Sequence, residues 1–74
     1  MTDLLRRSGE ALYGSRWQTD LSEALEVDAR TVRRWVAGDT PVPSGVYVDL
    51  MRLLDERASD IDELMPALKR AAAP

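Results

Sequence analysis

Seventy-four residues suffice for one small domain with a small core, so association of copies would help its stability. The lack of cysteine excludes a disulfide framework or a thiolate metal site, and the lack of histidine removes the commonest general base and metal ligand. A formal net charge of −3 argues against indiscriminate attraction to polyanions, and neither a membrane-spanning apolar run nor a signal peptide is read, so a cytoplasmic protein is expected.

The first helix is expected over about Asp3–Tyr13, capped by Thr2 or Asp3. Leu4, Leu5, Ser8, Ala11 and Leu12 share one face, Gly9 weakens the interior, and Gly14 suits a left-handed C′ position. The second is expected over Arg16–Leu25, because Ser15-Arg16-Trp17-Gln18 fits the S-x-x-Q capping box. Its inner face is Trp17, Leu21, Ala24 and Leu25. Glu26 and Val27 make a turn, with Val27 inward. A third helix starts after Asp28, a strong N-cap, and stops at Gly38; Val32, Trp35 and Val36 face the core.

Asp39 to Pro43 is a loop stiffened by Pro41 and Pro43. The fourth helix runs from about Ser44, as cap, to Ala58, with Val46, Leu50, Leu53 and Leu54 as its stripe and Tyr47 and Met51 widening it. Ser59 then caps a last segment carrying Ile61, Leu64, Met65 and Leu68, which Pro66 either kinks or delays, and residues 71–74 fray. The expected fold is one all-α domain over 1–74, a compact bundle of four to five short helices. Residues 59–74 are a candidate dimerisation element, because Leu53, Leu54, Leu64, Met65 and Leu68 exceed what one small core absorbs.

The charge is unevenly spread. Up to Gly38, Arg6, Arg7, Arg16, Arg30, Arg33 and Arg34 balance as many acids; from Asp39 onward, acids outnumber bases. Three of those arginines fall on the third helix, away from its apolar side. Two short amphipathic helices joined by a tight turn, the second rich in arginine, suit a helix-turn-helix whose second helix enters the DNA major groove. Arg30 and Arg34 lie four residues apart on one ridge and are candidates for guanine O6 and N7. Arg33 diverges toward a phosphate or a base edge, and Ala29 is small enough to meet a thymine methyl. Gln18 is a candidate for either helix capping or a phosphate contact. Thr31 sits where a phosphate could pass, and Arg16 could reach one from the start of the second helix. Trp35 and Trp17 read as core, and Tyr13 and Tyr47 as half-buried rings. Asp55, Glu56, Asp60, Asp62 and Glu63 match no metal loop.

Gln18, Leu21, Ser22, Leu25, Glu26, Val27, Asp28, Thr31, Val32, Trp35, Gly38, Pro41 and Pro43 resemble the pattern of phage-repressor-like regulators of the lambda-repressor, Cro and XRE type, over about residues 4–57. The resemblance implies the lambda-repressor-like fold. It carries the family's phosphate-contacting Gln onto Gln18, and its base-reading positions onto Ala29, Arg30, Arg34 and Arg33. Three departures stand out. Glu26 replaces the usual turn glycine, at a cost on the order of 1 kcal/mol if its φ is positive. Trp17 stands where a Ser or Thr cap is usual, and Asp39 brings an acid into the loop. The implied function is sequence-specific DNA binding by a homodimer on an inverted repeat, most simply as a repressor of phage or mobile-element type, such as an anti-CRISPR-associated autorepressor. The rival expectation is an antitoxin-type or other protein-interaction module. No catalytic role, cofactor, small-molecule ligand or membrane partner is expected, since nothing offers a nucleophile and base pair.

Overall fold

The computed structural model describes residues 2–74, which form four α-helices and one short 3-10 turn, with no strand among the described residues. Helix α1 spans Thr2–Tyr13, the 3-10 turn Gly14–Arg16, α2 Trp17–Leu25, α3 Ala29–Ala37 and α4 Ser44–Ala72. The all-α class follows from apolar spacing of three and four along every segment.

One core holds the first three helices and the start of α4 together. Leu5 and Leu12 of α1, Trp17 and Leu21 of α2, Val32 and Trp35 of α3, and Val46 and Leu50 of α4 are buried in it. Tyr13, Leu25, Val27, Val36 and Val42 close its edges, with Tyr47, Leu53 and Leu54 on the α4 side. The inner face of α1 differs from the expected one. Leu4 is 49% exposed and Ala11 is exposed, while Gly9 is buried. The reason is Trp17: its indole packs flat against the α1 backbone, and a Cβ on Gly9 would overlap ring atoms Cγ, Cδ2 and Cε3. Gly9 therefore buys close packing that outweighs its poor helix propensity. An exposed mid-helix Gly→Ala change gains about 1 kcal/mol; Gly9→Ala should instead lose about 2 kcal/mol by over-packing against a ring with no room to retreat. A lowered urea midpoint checks this, and a raised one would mean that the indole is free to move.

Helices α2 and α3 end in the same way. At the end of α2, Glu26 takes φ 58° and ψ 41°, its N–H donates to the Glu23 carbonyl (3.1 Å), and the Val27 N–H donates to the Ser22 carbonyl (2.9 Å). At the end of α3, Gly38 takes φ 80°, its N–H donates to Trp35 (3.1 Å), and Asp39 N–H donates to Arg34 (3.0 Å). Both are Schellman caps, which occupy carbonyls that a helix end leaves open. Glycine suits the left-handed position, and glutamate is strained there by about 1 kcal/mol. Glu26→Gly should raise the melting temperature by several degrees, at about 4–8 °C per kcal/mol for a domain of this size. A thermal scan followed by circular dichroism reads the shift directly.

Several expected boundaries are corrected. Thr2 already belongs to α1, so neither expected residue precedes the helix, and Asp3 pairs with Arg6 in the first turn instead of capping. The Ser15 capping box does not form: Gly14, with φ 81°, opens a 3-10 turn that carries Ser15, and α2 starts at Trp17 with no side-chain cap. Ser44 is the first residue of α4, and Pro43, extended at φ −61° and ψ 146°, holds the cap position.

The largest difference is α4. Its 29 residues form one helix where two segments were expected, and Ser59 caps nothing. Between Asp55 and Met65 there is neither glycine nor proline, and Glu, Arg, Ala, Leu and Met carry the helix onward. Pro66 removes a single hydrogen bond, to the Asp62 carbonyl, which lies on an exposed helix where water replaces it. The helix continues through Ala71 and Ala72, where fraying was expected. At 1.5 Å per residue α4 is about 43 Å long, and every residue from Asp55 onward is exposed. The molecule thus measures 55 × 21 × 21 Å, with a radius of gyration of 15.1 Å against about 11 Å for a globule of this length. Where α4 leaves the body, the Arg57 guanidinium lies 5.9 Å from the centre of the Tyr13 ring, a cation–π contact.

Candidate nucleic-acid interface

Helix α3 is held by its inner face and its first turn. Val32 is fully buried and Trp35 nearly so, and Val36 is half-buried beside them. The Asp28 carboxylate accepts a hydrogen bond from the backbone N–H of Arg30 (3.0 Å), and the Asp28 carbonyl accepts from Thr31 N–H (2.9 Å). This ties the start of the helix to the preceding turn.

Arg30, Arg33 and Arg34 are all exposed. With about 100° of turn per residue they fall within an arc of roughly 100° on the side of α3 opposite Val32 and Trp35. Ala29 and Thr31, both half-buried, flank that arc. Charge pairing separates these arginines from Arg6, Arg7 and Arg52 on the other helices. Arg6 bonds Asp3 at 2.8 Å and lies 3.5 Å from Glu10, Arg7 lies 4.0 Å from Asp3, and Arg52 lies 3.2 Å from Glu56. The hydrogen bond to Asp3, and then the charges of Asp3 and Glu10, raise the pKa of Arg6 further. Among the described residues Arg30, Arg33 and Arg34 take part in no ion pair, although Glu23, Glu26 and Asp28 stand near them in sequence. Asp28 is occupied as a cap, and Glu26 belongs to the turn that ends α2. The result is an exposed, unneutralised cationic ridge on a rigid helix.

Arg16 and Gln18 are brought together elsewhere, in a shallow cavity of about 260 Å³ at the start of α2, lined also by Ser15 and Thr19. No side chain caps this helix, so the N–H groups of its first turn keep no side-chain acceptor. The Gln18 side chain is not engaged in the expected capping box. The sequence pattern points to neither Ser15 nor Thr19 as a contact residue: Ser15 reads as a cap, and the 3-10 turn places it ahead of α2 instead. The next serine, Ser22, is buried and donates to the Thr19 carbonyl (2.6 Å), which makes it part of the scaffold.

Comparisons of the chain with family models, with curated proteins and with solved structures return no match.

The functional reading therefore rests on the residues themselves. No helix among the described residues is long and apolar enough to cross a membrane. Asp55, Glu56, Asp60, Asp62 and Glu63 are strung along the exposed half of α4.

Proposed function

We propose that this chain is a sequence-specific DNA-binding regulator of helix-turn-helix type, similar to phage repressors, with α3 as the helix that enters the major groove. The observation that carries the reading is the ridge of Arg30, Arg33 and Arg34, exposed and free of ion pairs opposite the buried Val32 and Trp35. A guanidinium that keeps no carboxylate partner loses none when it bonds a guanine edge or a phosphate. Arg30 and Arg34 then read bases with Ala29 beside them, and Arg33 takes a phosphate or a base edge. Arg16, Gln18 and Thr31 hold the backbone, the first two at the uncapped start of α2, where helix N–H groups favour an anion. Acting as a homodimer on an inverted repeat, the protein represses by occluding a promoter, in the compartment that holds the DNA, the cytoplasm.

The test is a gel-shift titration against the intergenic DNA upstream of its own gene, with an unrelated duplex as competitor. Preferential binding is expected. If four phosphates are contacted, affinity should fall about a hundredfold between roughly 50 and 200 mM salt. Equal binding to both duplexes, or none at low salt, would turn the reading toward a protein-interaction or antitoxin-type module that uses the same fold.

A further inference from the structure

The apolar face of α4 is unusually long. Ile61, Leu64, Met65 and Leu68, spaced three and four apart, are each between 51% and 60% exposed. On the helical wheel the same stripe runs back through Leu54 and Met51 to Tyr47. There it becomes one wall of an apolar groove of about 310 Å³, whose other wall is Leu4 and Ser8 of α1. Pro66 lies on the side of α4 away from the stripe and Asp62, whose carbonyl it frees, at the edge of it, so the row of apolar side chains is unbroken.

We propose that the occupant of this face is a second copy of the chain, with the two α4 helices antiparallel about a two-fold axis beside Ser59. The proposal takes the homodimer from the functional reading above and assigns its interface; it rests on the α4 surface, not on DNA binding. In this register Ile61 faces Ala58 of the second copy, Met65 faces Leu54, and Leu68 enters the groove at Met51. Each α4 tip thus becomes a third helix alongside α1 and α4 of its partner.

Three observations favour this arrangement. A parallel pair is blocked, because Val46 and Leu50 of α4 are already buried against the body, which leaves only the projecting half free. Charge favours the antiparallel register: each Arg57 comes level with Asp62 of the second copy and one turn from its Asp60, twice by symmetry, and the Lys69–Arg70 end comes level with Asp49. A parallel pair would set Asp60, Asp62 and Glu63 each against itself, whereas the antiparallel register brings only Asp60 next to its own copy. The size is adequate too. Pairing residues 47–72 gives a strip about 39 Å long and about 10 Å wide on each copy, about 800 Å² for the two in flat projection, and interdigitating side chains raise the accessible area buried above that projection, toward the roughly 1,200 Å² at which specific interfaces begin. The bodies would then sit about 30 Å apart along the pair, close to the roughly 34 Å between successive major-groove faces.

Sedimentation equilibrium of the full chain without DNA should give twice the 8.3 kDa chain mass. Met65→Asp with Leu68→Asp should halve that mass while thermal unfolding of the body stays cooperative, since both side chains are exposed on the single chain. Orientation is read by oxidation, because the chain holds no cysteine of its own. Leu68→Cys and Met51→Cys variants should cross-link when mixed, and neither should do so alone. A monomeric wild type, a tetramer, a double variant that remains dimeric, or cross-linking of either variant alone would each overturn the proposal. A monomer that still prefers its own upstream DNA would do so while leaving the DNA-binding reading intact.

Discussion

Trp35→Ala should leave little folded protein at room temperature. Trp35 is 5% exposed at the centre of a core of eight buried apolar side chains, and it is the largest contribution of α3 to that core. Truncating a buried tryptophan costs about 3–5 kcal/mol in lost transfer energy and cavity formation. A domain of this size has about 4–11 kcal/mol in total, so most of its stability is at stake. The α3 inner face has only Val32 and half-buried Val36 to compensate. Urea unfolding followed by circular dichroism gives the loss, and the remaining Trp17 reports on the core by fluorescence. A variant with a cooperative, wild-type transition would mean that α3 is not anchored through this face, and the outward direction of its arginines would fall with it.

Arg30→Ala and Arg34→Ala should do the opposite, leaving stability within about 0.5 kcal/mol of wild type, as expected of surface residues without partners. Each should reduce discrimination between operator and competitor DNA by about 1–3 kcal/mol, roughly 5- to 150-fold, the range for a bidentate arginine–guanine pair. Arg33→Ala separates the two kinds of contact. If Arg33 holds a phosphate, its loss weakens all duplexes alike and lowers the salt slope by about one; if it reads a base, specificity relaxes at one position. Unchanged operator affinity in both Arg30→Ala and Arg34→Ala would remove the base-reading assignment. Because Trp35→Ala acts through folding and the arginine changes do not, melting curves beside binding curves show which mechanism is at work.

Much of the candidate site was legible because it is built from local rules. Asp28 as an N-cap and Gly38 as a left-handed stop bound α3 to the residue. The spacing of Val32, Trp35 and Val36 then sets which side of a nine-residue helix turns inward, so the outward direction of Arg30, Arg33 and Arg34 follows. The Glu26 departure was legible through the resemblance, whose turn usually carries glycine at this place, and the structure gives Glu26 the left-handed φ of 58°. The region before α2 was not. Ser15 and Gln18 have the spacing of a capping box, yet the 3-10 turn places Ser15 ahead of the helix. The expectation failed because a local motif competed with the need to seat Trp17 against Gly9, a contact between residues eight apart that no local pattern encodes.

The sequence by itself determined the all-α class, the caps of α3, the inner sides of α2 and α3 and the cationic ridge on α3, because each depends on residues within a turn or two of one another. Tertiary structure decided the rest. It showed that Arg6 and Arg7 of α1 and Arg52 of α4 have carboxylate partners while the three arginines of α3 have none among the described residues, that Gly9 is a packing residue, and that α4 is one helix half of which has nothing to pack on. Apolar periodicity marks a face to be covered and is silent on what covers it. Leu50 and Leu64 obey the same rule on the same helix, and one is buried while the other is not, because the body ends between them.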